Sequence, residues 1–370
     1  MPAVDELRPA LAELPAIDHH AHLLAHPDAG VELADVLTES SQPAQVSAGR
    51  HHPAYIRAVR ELPDFASRRD DDVGSIRHLF DACRLDAMFV DDGFQFPGAL
   101  SLDEHAALVG CPVRRIVRIE SFAEAVTCGA EWPPFPESRS RFQQAVADAL
   151  ADGAIALKTI AAYRSGLDLP APSVDAATGA YEVWRRSGTR RLTDATLISQ
   201  FVADALDAAG DGVPLQVHTG LGDADQMLAQ ADPALLQPHI DHGMLARVPV
   251  VLLHCYPFVR HAGYLASLYA NVHLDLSLAV TLMPHRGPTL IAEALELAPP
   301  TKLLFATDAS RLPEMFLLGT RWWRESLAET LGGLVDGGFA DEQVALHWAT
   351  LILAGNARRL YRFDGGRDGG

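Results

Sequence analysis

Two histidines two residues apart, His20 and His22, close the apolar run Ala16–His22. Residues two apart on a strand project to the same side, so both imidazoles can reach one metal ion. Further runs end on residues of related chemistry: Pro214–His218, Val250–His254 and Leu303–Asp308. Taken singly, each reads equally well as a packed core histidine or a helix-capping aspartate. Together, strand ends in this order read as a metal site. A borderline cation such as Zn²⁺, or alternatively Mn²⁺, is held by several imidazoles plus a carboxylate and keeps a position open for water. The run Ala154–Ile160 contains Lys158. An ammonium beside one or two dications is repelled, so this lysine is expected to be neutral, carboxylated or turned toward a substrate anion. Just beyond it, Tyr163 and Arg164 fall in a loop where a guanidinium can grip a carboxylate through two N–H groups and a phenol can donate beside it.

Such residues need elements that bring them to one end of a sheet. Eight short apolar runs alternate with longer amphipathic ones: Ala16–His22, Ala87–Asp91, Val113–Ile119, Ala154–Ile160, Pro214–His218, Val250–His254, Val272–Leu276 and Leu303–Asp308. Several are apolar on both faces, as strands covered outside by helices and inside by packed side chains require. The segments 138–153, 193–212 and 288–298 have apolar residues at helical spacing, the second with Thr193 or Asp194 as its N-cap. This alternation predicts an α/β chain folded as a (β/α)₈ TIM barrel, whose active site lies at the carboxyl ends of the strands. Residues 1–365 are expected to form a single domain, with 23–85 a mostly helical insertion after the first strand and 366–370 a disordered tail.

Composition excludes several classes of function. With 30 Lys+Arg against 48 Asp+Glu, the formal charge of -18 repels nucleic-acid backbones and anionic membrane surfaces. No apolar run approaches the ~18 residues of a membrane span, and the amino end lacks the features of a secretion signal. A cytoplasmic protein acting on a small molecule, and assembling as a homo-oligomer, is the expectation. Cys83, Cys111, Cys128 and Cys255 are scattered without a C-x-x-C pair and read as buried free thiols. Trp322 and Trp323 read as core or interface.

The segments IDHHAHLL, ALKTIAAYRSGL, LQVHTGLGD, LLHCYPF, FATDASRLPEMFLLG and ILAGNARRLYRF span nearly the whole chain. Through them the sequence resembles the amidohydrolase superfamily, in particular the amidohydrolase-2 branch related to the amidohydrolase part of glutamine-synthetase-associated, FluG-like proteins. The resemblance implies that His20, His22 and Asp308 bind metal, that His218 and His254 complete the site, and that Asp308 is the general base. It also implies that Lys158 is carboxylated and bridges two metals in a dinuclear site; in a mononuclear one, His254 polarises the substrate instead. The implied reaction is metal-assisted hydrolysis of an amide or related C–N bond in a small carboxylate-bearing substrate, with a γ-glutamyl amide as one form. Two rivals remain open at this point: a metal-dependent non-oxidative decarboxylase of the same branch, and a catalytically silent barrel serving as a binding module.

Overall fold

Each of the eight apolar runs supplies a strand: β1 Ala16–Ala21, β2 Leu85–Asp91, β3 Val113–Arg118, β4 Ala156–Thr159, β5 Leu215–Thr219, β6 Val250–His254, β7 Val272–Asp275 and β8 Leu303–Leu304. They belong to one sheet ordered β1 to β8, the strand order of a (β/α)₈ barrel. This computed structural model describes residues 2–62, 73–129 and 131–364. The expected tail, 366–370, and residues 63–72 of the expected insertion lie outside the described residues.

The chain divides into two compact units, Met1–Val113 with Asp275–Gly370, and Arg114–Leu274. In the first unit, β1 and β2 pair in parallel from Ala16↔Leu85 to Ala21↔Val90, with the register shifting between Asp18 and Ala21. Between them the described residues form helices at Leu33–Val36, Pro43–Gly49, Pro53–Glu61 and Val73–Cys83. The helix Pro313–Asp336 buries Trp322 and Trp323 completely, so both indoles serve the core. Arg324 on the same helix donates to the carbonyls of Leu11, Leu14 and Cys83 at 2.5, 2.6 and 3.1 Å. His105 is buried in this unit, and its Nδ1 accepts the Leu24 amide at 3.1 Å. Burial pushes its imidazole down to about 4, so it stays neutral in the folded chain.

In the second unit β3 to β7 run parallel, with registers such as Arg118↔Lys158, Lys158↔Gln216 and Thr219↔His254. The helix Ala195–Ala209 takes Asp194 as its N-cap, the carboxylate accepting from the amides of Thr196 and Leu197. That helix packs on Phe135–Ala151 through the edge-to-face pair Phe142–Phe201, with centroids 5.0 Å apart. Arg139 clamps the fully buried Asp204 with bonds of 2.7 and 2.5 Å, so a charge that would be costly alone is neutralised in place.

The last strand is shorter than its apolar run predicts. Its ladder ends at Leu304 because the next donors go elsewhere: the Phe305 amide to Ile352 O at 3.1 Å, and the Thr307 amide to the Asp18 carboxylate at 3.0 Å. The chain then turns at Asp308, whose φ of 53° is left-handed. The four cysteines are free, with Cys111 partly exposed and the other three buried.

Candidate metal centre

Within the first unit, the end of β1 and the segment after β8 are tied together by main-chain bonds. The Asp308 amide donates to His20 O at 3.0 Å, and the His22 amide donates to Ala309 O at 2.9 Å. These bonds hold three side chains against one another. His20 Nε2 stands 3.1 Å and His22 Nε2 3.2 Å from the same Asp308 oxygen, Oδ1. The imidazoles are nearly perpendicular, with centroids 5.1 Å apart, and both are buried. His22 Nδ1 lies 3.0 Å from the Asp91 carbonyl, which can only accept, so Nδ1 carries a proton and Nε2 is the ring nitrogen turned to Asp308.

The donor atoms of His20, His22 and Asp308 all lie within 4.8 Å of one another. Two imidazoles and one carboxylate converging in this way fit a divalent cation, which accepts this mixed nitrogen and oxygen set. Asp308 keeps its left-handed backbone without being glycine, a conformation costing ~1–3 kcal/mol that tends to persist where side-chain placement matters.

The residues just before the histidines contribute support that sequence reasoning missed. Asp18 is fully buried and accepts from the Thr307 amide at 3.0 Å and the Thr307 hydroxyl at 2.5 Å. Burial raises its carboxyl to about 7, against the lowering effect of those bonds. His19, on the opposite side of the strand from His20, sits 3.0 Å from the Asp275 carboxylate and 3.1 Å from the Tyr361 hydroxyl. The signal for both was present in the unbroken polar run of β1, Asp18 to His20, inside an otherwise apolar strand.

The second unit holds its own cluster. His218 in β5 and His254 at the end of β6 place their rings 4.6 Å apart, and the Tyr163 ring lies 4.3 Å from His218. His254 and Cys255 are both left-handed, with φ of 66° and 62°, so the chain bends sharply as β6 ends. Gly222 in the loop after β5 leaves room for the phenol: a Cβ there would meet the Tyr163 hydroxyl at 2.2 Å and displace it. Lys158 in β4 is buried, 2% exposed. Arg164 does not face open solvent. Its Nη1 lies 3.1 Å from Glu124 Oε1, within ion-pair distance but without a hydrogen bond from that nitrogen. Burial pulls its guanidinium below the usual arginine value, against the raising influence of Glu124.

Residues 200–363 match the family model described as Amidohydrolase. The protein FluG of Emericella nidulans is 30% identical over 419 residues, covering 98% of this chain and 47% of that protein. This chain therefore spans about half the length of that relative. A crystal structure of a proposed metal-dependent hydrolase from Lactobacillus casei shares 32% identity, covering 96% of this chain and 97% of the other, with a TM-score of 0.88. A uronate isomerase from Thermotoga maritima shares the fold at 12% identity and a TM-score of 0.66, over 97% of each chain. The (β/α)₈ barrel, the converging histidines and aspartate, and the end-to-end likeness to the Lactobacillus casei protein place this chain in the amidohydrolase superfamily, in its amidohydrolase-2 branch.

Proposed function

We propose that this protein is a metal-dependent hydrolase that cleaves an amide or related C–N bond of a small carboxylate-bearing substrate, with a γ-glutamyl amide as the form implied by the family resemblance. The observation that supports it most is the approach of two imidazole nitrogens to one Asp308 oxygen at 3.1 and 3.2 Å. His20, His22 and Asp308 would hold the cation, with Zn²⁺ favoured by the nitrogen-rich donor set and Mn²⁺ the alternative. A divalent cation bound there supplies Lewis acidity toward a carbonyl oxygen and makes water more acidic.

The remaining roles belong to the chain. Asp308 takes the proton from the attacking water at its carboxylate and returns it to the leaving nitrogen, the task of a general base that then acts as an acid. The Asp91 carbonyl keeps His22 in one tautomer through the cycle. His254, turned by its left-handed backbone and flanked by His218, is suited to polarise a substrate carbonyl. Lys158 takes the role of carboxylated bridge if two metals are bound. Tyr163 supports His218, while Arg164 reaches a substrate carboxylate only by giving up Glu124.

Turnover of γ-glutamyl amides and N-acyl amino acids by metal-loaded protein tests this reading. Release of amine or ammonia supports it. Release of CO₂ from an aromatic carboxylate, with no amine from any amide, replaces it with decarboxylation.

A further inference from the structure

Arg311 follows Asp308 by three residues and has no part in the reaction described above. Its backbone is fixed: the amide donates to Leu23 O at 2.9 Å, the carbonyl accepts from the Ala25 amide at 2.9 Å, and φ is 65°. Its guanidinium carbon lies 5.8 Å from the Phe94 ring centroid and 5.2 Å from that of Phe96. Phe94 in turn meets the His22 ring edge-on at 5.1 Å. A cation, an aromatic ring and one imidazole of the candidate metal centre thus stand in one row within the first unit.

Elsewhere in this unit Arg57 is neutralised by Glu61 and Glu325, Arg358 by Asp86, and Arg324 is satisfied by three carbonyls. Among the described residues, Arg311 has no carboxylate partner and its buried Nε has no hydrogen-bond acceptor. Ring faces attract the positive charge but offer no lone pair to its N–H groups. Arg311 also lines a solvent-connected pocket with Leu24, His26, Leu79 and Glu314, so a small anion has a way in.

We infer that Arg311 selects a carboxylate-bearing ligand for the His20–His22–Asp308 centre, gripping the carboxylate through its N–H groups while Phe94 and Phe96 hold the guanidinium in place. The inference rests on the metal-dependent reading proposed above. Its test uses glutarate as the anionic probe and glutaramide as the neutral one, titrated by calorimetry into metal-loaded and chelator-stripped protein.

The expected result is that wild type prefers glutarate, that the preference survives in part after stripping, and that Arg311→Gln weakens glutarate about tenfold or more while shifting glutaramide by about twofold or less. Arg311→Lys restores charge without the fork and recovers part of the loss. Metal content of Arg311→Gln stays at the wild-type level. Equal weakening of both probes would show a purely structural arginine and overturn the inference, as would a wild type without preference or an Arg311→Gln protein that still prefers glutarate. Failure of the metal reading is seen separately, as wild-type protein that binds no metal.

Discussion

In the first unit two imidazoles, His20 and His22, meet a carboxylate oxygen at 3.1 and 3.2 Å. In the second unit two imidazoles, His218 and His254, lie 4.6 Å apart with a phenol, Tyr163, 4.3 Å from one of them. Both groups sit at strand ends, and in each a residue holds a left-handed backbone, Asp308 in one and His254 in the other. What differs is the third member. A carboxylate gives the first group a negative donor that offsets a cation's charge and can also take a proton. A phenol gives the second group a packing partner that fixes ring orientation. On the proposed function, the same residue type at matching positions serves as ligand in one unit and as polarising group in the other.

The sharpest way to break this contrast is to neutralise the carboxylate. Asp308→Asn keeps the shape but removes both the charge and the proton acceptor, so turnover should fall by ~10³-fold or more. Next in size is His254→Asn in the second unit, which should lower turnover by ~10²-fold with metal content retained. If His254→Asn lost metal as completely as a first-unit variant, the two groups would not differ in the way described.

Smaller effects sharpen the comparison. His105 is held neutral, its imidazole pushed by burial from the ordinary 6.5 to about 4. The unfolded chain therefore takes up a proton that the folded chain refuses, and stability is lost as pH falls through that window, by up to ~3 kcal/mol near pH 4. His105→Gln keeps an acceptor for the Leu24 amide without titrating, so acid unfolding curves of this variant should be flatter over that range. The smallest expected effect is that of Arg164→Ala. Because Arg164 already faces Glu124, its loss should reduce kcat/KM for a carboxylate substrate by less than ~1.4 kcal/mol, about tenfold, and by less than Arg311→Gln does.

Much of this was legible in the sequence for a physical reason. Strands buried on both faces must be apolar along their length, so a polar residue closing such a run stands out, as His218, His254 and Asp308 do. The pairing of His20 with His22 was suggested by strand alternation, although β1 ends at Ala21 and the His22 amide is held by Ala309 O. What the sequence did not disclose depends on contacts between distant segments. The polar run of β1 marks Asp18 as unusual, but its partner Thr307 lies 289 residues later and is set by packing. Arg164 looked free to meet a substrate because the position of Glu124 on a neighbouring helix is set by packing. Arg311 gave no signal, since the rings that hold it come from a loop more than two hundred residues earlier.

The proposed function requires that His20, His22 and Asp308 hold a divalent metal. Elemental analysis of wild type beside the His20→Ala/His22→Ala double variant, with circular dichroism as a check on folding, tests it most directly. The expected result is at least about one Zn²⁺ or Mn²⁺ per wild-type chain and loss of that metal in a variant whose fold is intact. A folded double variant that keeps the full wild-type metal content would contradict it.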